Sequence, residues 1–284
     1  MVKLMKPDAN EVLASWETSS EYWNKYQGII ETMFAPLTRA LVASAEIQPG
    51  QSILDIGGGS GEPSLTLSAM VGESGRVAYT DPAAGMVQTA RNEAERRGLS
   101  NITFHQSPAE RLSFPDNEFD TVVGRLSAMF FADPKSALGE MLRVTKPGGR
   151  IVFLVWGPRE ANPFFSEISD VLNQFVPAEP EDEDAPTAFR FARLGKLAQV
   201  FSDAGAIEVN EEPLSFRIEE PLDIEGFWVL RTEMSDTFRS KLAQLDSEEV
   251  AAVKSATAKA VSGFFESGHM NFPAQVLIVT GRKQ

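Results

Sequence analysis

Ile53-Leu54-Asp55-Ile56-Gly57-Gly58-Gly59-Ser60-Gly61-Glu62-Pro63 is the stretch on which the fold turns. An apolar run ends in a cluster of glycines, and a helical pattern opens after it. Glycine lets a backbone pass close to a ligand at the carboxyl edge of a sheet. The stretch therefore reads as a buried strand, a glycine-rich turn and a helix, enclosing a pocket for a nucleoside cofactor. A dinucleotide fingerprint wants glycine at position 62, for close helix packing on a pyrophosphate, whereas Glu62 and Pro63 stand here. That difference demotes nicotinamide and flavin cofactors, and with them a nicotinamide-dependent oxidoreductase.

Outward from this turn, short β-branched runs alternate with helical patterns between residues 50 and 156. Such alternation marks βαβ units and a parallel sheet. Strands are expected at 52–56, 76–80, 102–105, 121–124 and 151–156, followed by 207–218 and a last strand at 276–281. The helices carry their own punctuation. Asp133-Pro134 supplies an N-cap and a first-turn proline, and the run 137–144 stops at Lys146-Pro147-Gly148-Gly149. Ala84, Val87, Ala90 and Ala94 recur at helical spacing, with Gly98 where a left-handed C-cap belongs. A further helix, 193–204, is closed by Gly205.

Two segments lie outside the alternation. Residues 8–40 place Trp23, Tyr26, Ile30, Met33 and Leu37 on one helical face. Residues 222–270 read as helical, with Asp246 and Glu249 spaced as a capping box. The division that follows is an N-terminal helical cap at 1–45, a core at 46–221 and 271–284, and a helical insertion at 222–270. Ala178 to Pro186, rich in Glu and Asp, reads as a solvated acidic loop.

Composition excludes several classes of function. The 284-residue chain has no cysteine, and its histidines are His105 and His269 alone, so no Cys-based or multi-histidine metal site is expected. The formal net charge of -14 opposes a polyphosphate backbone, so no nucleic-acid partner is expected. The longest apolar run, Ile151 to Trp156, is too short to span a bilayer. Met1 to Val12 carries no apolar stretch of the secretory type, and the expected location is cytoplasmic.

Asp81 ends the second expected strand, where a carboxylate accepts both hydroxyl protons of a ribose. Taken alone it reads equally well as a helix N-cap, because Pro82 follows. Taken in order, Asp55-x-Gly57-x-Gly59-x-Gly61, Asp81, Phe114-Pro115-Asp116-x-x-Phe119-Asp120 and Lys146-Pro147-Gly148-Gly149-Arg150 resemble the motifs of class I S-adenosylmethionine-dependent methyltransferases. The likeness covers residues 50–156 and is nearest to the type 11 branch that includes ubiquinone and menaquinone biosynthesis methyltransferases. The N-terminal helix with Trp23 and Tyr26 also resembles that branch.

The resemblance implies an α/β, Rossmann-like fold: a seven-stranded, mostly parallel sheet with helices on both faces and its last strand antiparallel. It implies S-adenosyl-L-methionine as cofactor and S-adenosyl-L-homocysteine as product. Gly57 and Gly59 would lie against the methionine part with Asp55 beneath them; Asp81 and Pro82 would meet the ribose, and Met86 would flank the adenine. The branch usually carries Asp where Pro108 stands, so adenine recognition falls to the backbone around Ala109, to Glu110 or to water. Arg125 and Leu126 would border the methionine group and the methyl donor, and Tyr26 would reach the cofactor from the cap.

An activated methyl needs alignment and exclusion of water more than acid–base machinery. No catalytic residue is assigned; His105 and His269 are the two histidines that a phenolic or amine acceptor could use as base. Tyr22, Trp23, Tyr26, Met129, Phe130, Phe131 and Trp156 supply an apolar, aromatic mouth suited to a small planar or lipid-like acceptor, with His269 beside it. Arg125, charged at the end of a central strand, is suited to a carboxylate of the acceptor or the cofactor. A monomer and a homodimer both fit, and a cofactor-binding module without turnover is the alternative function.

Overall fold

The computed structural model of the chain describes residues 9–178 and 182–284. Met1 to Asp8, and Glu179, Pro180 and Glu181 of the expected acidic loop, lie outside the described residues. The central sheet takes its first strands from the runs flagged above: β1 (Ser52–Ile56), β2 (Arg76–Asp81), β3 (Ile102–Gln106), β4 (Phe119–Arg125) and β5 (Thr145–Trp156). Then follow β6 (Ile207–Glu220), β7 (Phe265–Glu266) and β8 (His269–Arg282). The order is β3-β2-β1-β4-β5-β8-β6, with β7 paired to β8 alone. β1 to β5 pair in parallel, and β8 runs antiparallel between β5 and β6.

Every residue of β1 is buried, as is 151–156 of β5. Two-sided burial requires cover on both faces of the sheet, as in a doubly wound α/β fold. The cover comes from α1 (Ala9–Lys25), α2 (Gln27–Ala45), α3 (Ser64–Val71), α4 (Ala84–Arg96), α5 (Pro134–Val144), α6 (Pro163–Asn173) and α7 (Lys196–Ala204). The late helices are α8 (Ile224–Met234), α9 (Asp236–Leu242) and α10 (Ser247–Val261). Asp133 caps α5 through Lys135 and Ser136, Gly98 and Gly205 take left-handed conformations behind α4 and α7, and Asp246 with Glu249 closes the capping box of α10. Among the described residues no helix is long and apolar enough to cross a membrane.

Several expectations are corrected. The sheet holds an eighth strand, the two-residue β7, which forms a hairpin with β8. β8 starts at His269 rather than at residue 276, so β7 and the first residues of β8 fall inside the segment read as purely helical. Pro147, Gly148 and Gly149 belong to an irregular start of β5, where Gly148 N–H bonds Lys283 O and Lys283 N–H bonds Gly149 O. The N-terminal face is not one helix. The helix is interrupted between Lys25 and Gln27, where Tyr26 takes φ -102, ψ 14. The joint is a distorted turn, since Tyr26 N–H still bonds Tyr22 O and Ile30 N–H still bonds Tyr26 O.

Candidate active site

The order of the sheet reverses between β2-β1 and β4-β5, and a cleft opens there at the carboxyl ends of the strands, as it does at any such switch point. A cavity of about 350 Å³ lies at this place. Its floor is the glycine turn. Gly57 and Gly58 N–H both donate to Thr80 O, at 2.8 and 3.1 Å, so the turn is pinned to the end of β2. Gly57 has φ +67, and a Cβ there would lie 2.6 Å from Ser127 Cβ; side-chain bulk is excluded by the neighbouring loop. Gly59, at φ +54, has no heavy atom within 4 Å of a Cβ position, so its α-face is open to the cavity.

Two side chains of β2 hold Gly59 from both ends. Tyr79 Oη donates to Gly59 O at 2.6 Å, and Asp81 Oδ2 accepts from Gly59 N–H at 3.1 Å. Asp81 Oδ1 accepts from Ala83 N–H at 2.9 Å. Each oxygen keeps a further lone pair for a hydroxyl donor in the cavity. Burial pushes the Asp81 carboxyl up to about 6, against the lowering effect of these two amides. Asp55 lies beneath the turn and is not in the wall. It is fully buried, its Oδ2 accepts from Ser64 Oγ at 2.7 Å, its Oδ1 has no partner, and burial pushes it up to about 7.

The opposite wall comes from β4 and the loop after it. Leu126 adopts φ +60, a strained conformation for a branched side chain, and its N–H is held by Leu154 O at 2.8 Å. Ser127 Oγ donates to Ile56 O at 2.6 Å, tying this loop to β1. Arg125 reaches the cavity with no carboxylate partner; its Nη1 donates to Thr38 Oγ1 at 2.7 Å on α2. Burial lowers its pKa, partly opposed by Glu62, Asp55 and Glu31.

Of the residues assigned to the cofactor from sequence, Gly57, Gly59, Asp81, Pro82 and Met86 line this cavity, as do Pro108, Ala109, Glu110, Arg125 and Leu126. Glu110 Oε1 also accepts from Asp133 N–H at 3.1 Å, which anchors the loop that carries Pro108. Tyr26 does not line the cavity. Its hydroxyl donates to Glu233 Oε2 on α8 at 2.6 Å.

Of the residues expected at the acceptor mouth, Trp23, Phe130 and Phe131 are in the wall, and Tyr22, Tyr26, Met129, Trp156 and His269 are not. Tyr22 lies under the Arg239 guanidinium, 4.4 Å from its ring centre. Trp156 is buried among Phe34, Phe165 and Phe216. His269 is exposed on the β8 hairpin opposite Glu266. His105 sits on the edge strand β3, with Nε2 3.0 Å from Thr103 Oγ1, and is not in the wall either.

Sequence reading missed the residues by which α1 and α2 close the cavity. Val12, Leu13 and Trp16 on α1 line it together with Trp23, and Phe34 enters from α2. Trp16 packs edge-on against Phe130 at 5.0 Å and against Trp23 at 5.7 Å. The spacing of Val12, Trp16 and Trp23 is helical, so a second face on α1 was the available signal. Glu62 was also missed as a wall residue; it pairs with Arg97 at 3.2 Å, and Arg97 in turn pairs with Glu31 of α2 at 2.6 Å. Among the described residues no cluster of side chains could hold a metal ion.

Residues 54–153 match the family described as methyltransferase domain. A ubiquinone/menaquinone biosynthesis C-methyltransferase, UbiE, of Hahella chejuensis is 40% identical over 136 residues, 48% of this chain and 54% of its own length. An uncharacterized protein of Mycobacterium tuberculosis, Rv1405c, is 32% identical over 173 residues, 61% of each chain. The chain spans about half the length of the UbiE relatives it matches.

Solved structures show the same fold at lower identity. A putative methyltransferase from an antibiotic biosynthesis pathway of Anabaena variabilis superposes with a TM-score of 0.58 at 18% identity, over 86% of this chain and 96% of its own. The [4+2]-cyclase SpnF superposes with a TM-score of 0.55 at 18% identity, over 98% of this chain and 97% of its own. The sheet order and the glycine turn pinned to β2 agree with the match of residues 54–153 to the methyltransferase domain, so this part of the chain is similar in sequence and in fold to S-adenosylmethionine-dependent methyltransferases of class I.

Proposed function

We propose that this chain transfers the sulfonium methyl of S-adenosylmethionine to a small aromatic or otherwise apolar acceptor. The observation that carries this reading is the continuity of one cavity. The glycine turn and Asp81 line it together with the aromatic side chains of Trp16, Trp23, Phe34 and Phe130. The open face of Gly59 and the free lone pairs of Asp81 fit an adenosyl group. Gly57 and Gly59 would lie along the methionine portion, Asp81 would accept the ribose hydroxyls, and Met86 with Pro108 and Ala109 would bracket the adenine. Arg125 would meet a carboxylate of the cofactor or of the acceptor.

When bound, the cofactor supplies a methyl already activated by the positive sulfur, so the protein's task is placement. Trp16, Trp23 and Phe130 exclude water and present flat faces to an aromatic acceptor. The cavity's ionisable side chains are Glu62, Asp81, Glu110 and Arg125, and neither histidine is among them. An acceptor that is already nucleophilic, such as an electron-rich ring carbon or a phenolate, suits this lining. The UbiE relatives are C-methyltransferases of ubiquinone and menaquinone biosynthesis, which favours a quinol-like ring within that class.

The test is release of S-adenosylhomocysteine over a panel of quinols, phenols, indoles and amines, beside calorimetry of the two sulfur nucleosides. Turnover with a ring acceptor supports the reading. Tight nucleoside binding with no turnover on any acceptor leaves the non-catalytic module instead, and the fold does host a [4+2]-cyclase, SpnF. Absence of binding by either nucleoside overturns both.

A further inference from the structure

Arg231 on α8 is only 8% exposed, yet among the described residues no carboxylate pairs with it and its Nε is buried without a hydrogen-bond partner. The guanidinium is wedged among phenyl rings, 4.8 Å from the ring centres of Phe164 and Phe165 on α6 and 5.7 Å from Phe238 on α9. Burial alone acts on its pKa, drawing it down to about 10, with no neighbouring charge to oppose the shift. Arg97 is matched by Glu31, Glu62 and Glu93, and Arg239 by Asp236, while the buried Arg125 at least donates to Thr38 Oγ1. Ring faces recover only a fraction of the solvation that a buried guanidinium gives up, so a site of this kind lacks its anion.

Arg231 does not itself line the cavity; a run of packed rings connects it to the wall. Phe165 packs on Trp156 at 4.7 Å, Trp156 on Phe34 at 5.8 Å, and Phe34 is in the cavity wall. The same helix α8 presents Glu233, which holds Tyr26 and Lys25 at the joint of the two helices that close the cavity. The terminal nitrogens of Arg231 are not among the buried unpaired atoms and keep the residual access to solvent. A guanidinium presents them as a planar fork that matches a carboxylate or a phosphate.

We propose that Arg231 is an oxyanion-binding residue of the helical cap, and that the carboxylate or phosphate it takes is carried by the acceptor. The second clause rests on the methyl-transfer reading; the first does not.

The experiment is thermal unfolding of the full chain saturated with S-adenosylhomocysteine, titrated with inorganic phosphate or with benzoate at constant ionic strength against sodium chloride. At least one oxyanion is expected to raise the melting temperature of the wild type by about 3 °C or more at saturation. The rise should be absent in Arg231→Met, whose side chain fills similar space between the rings. In chloride buffer alone Arg231→Met should melt at or above the wild type, since it removes an uncompensated buried charge. A response to benzoate alone marks a carboxylate-bearing acceptor, and one to phosphate alone a phosphorylated acceptor.

No rise with either anion in the wild type overturns the proposal, as does an equal rise in Arg231→Met. A Met variant that melts well below a wild type which itself shows no anion response identifies a mere pillar between rings. Should that variant fail to fold, Arg231→Lys keeps the charge without the fork and is expected to weaken the anion response at least about fivefold; an unchanged response overturns the proposal. Nucleoside binding, read by calorimetry on the same samples, tests the methyl-transfer reading separately.

Discussion

Glu17 Oε1 on α1 accepts a hydrogen bond from the backbone N–H of Ala84 at 2.6 Å, and its Oε2 accepts from Gly85 N–H at 3.1 Å. These are the first free amides of α4, whose own N-cap, Ala83, has no side chain able to satisfy them. The cap is supplied by another helix, and the negative charge lies at the positive end of the α4 dipole. A Cβ at Gly85 would run into the Ser20 side chain, so glycine there permits α1 to approach this closely. The contact lies beside Asp81 and Pro82 and thereby seats Val12, Leu13, Trp16 and Trp23 over the cavity.

Glu17→Ala is therefore expected to cost about 1 kcal/mol in denaturant unfolding. It should also speed amide exchange across 9–25 more than across β1 or β4. Glu17→Gln, which keeps one accepting oxygen, should fall between the two. Equal exchange in α1 of the wild type and Glu17→Ala would show that the carboxylate does not hold this helix down.

The glycine turn separates folding from binding. Gly57→Ala places a methyl against Ser127 Cβ in a left-handed conformation and is expected to cost about 2–4 kcal/mol of stability. Gly59→Ala meets no protein atom, so its folding cost is only the backbone strain, about 1 kcal/mol. Its methyl enters open space, where the cofactor is proposed to lie, and S-adenosylhomocysteine affinity should drop at least about tenfold. Thermal unfolding and calorimetry on both variants check the split; a Gly59→Ala variant that binds normally would move the cofactor off this turn.

The glycine turn and Asp81 were legible because their chemistry is local: a strand end, a close approach, a carboxylate on the next strand. The identity of the cap wall was not. Trp23 and Tyr26 stand three residues apart, yet Trp23 lines the cavity while the Tyr26 hydroxyl reaches Glu233, a partner 207 positions away that no local pattern announces. Trp156 was placed at the mouth because it ends a central strand, yet Phe34, Phe165 and Phe216 bury it. The contact of Glu17 with α4 pairs residues 67 positions apart, and no periodicity announces it. The pairing of β8 with both β5 and β6 is likewise long-range, which is why the start of β8 was placed several residues late.

Asp55 makes stability depend on pH in a direction opposite to that of an ordinary salt-bridged carboxylate. Its folded value of about 7 lies above the usual 3.8, since the neutral form is favoured under the turn. Between those values the unfolded chain has released the proton and the folded chain keeps it. The contribution of this group is fully present below about pH 4 and is lost as pH rises toward 7, at up to about 1.4 kcal/mol per pH unit. Asp55→Asn cannot titrate, so its stability relative to the wild type should climb from pH 5 to pH 7.5 in denaturant titrations. A parallel pH profile in the two proteins would mean that Asp55 is already ionised in the fold.

Asp81 turns the same physics into a dependence of binding on pH. Its carboxyl titrates near 6 in the free cavity because burial penalises the charge and the Gly59 and Ala83 amides only partly offset this. Ribose hydroxyls donating to both oxygens require the ionised form, so binding lowers this pKa and releases a proton when pH lies near or below 6. S-adenosylhomocysteine affinity is expected to be flat above about pH 7 and to fall about tenfold per unit well below 6. Calorimetry in two buffers of different ionisation enthalpy should register the released proton at pH 5.5 and none at pH 8. Asp81→Asn should bind more weakly at pH 8 and lose the acid limb, whereas Asp55→Asn, altered beneath the turn, should retain it. If the acid limb survives in Asp81→Asn, another group governs nucleoside binding, and the assignment of the ribose to this carboxylate is wrong.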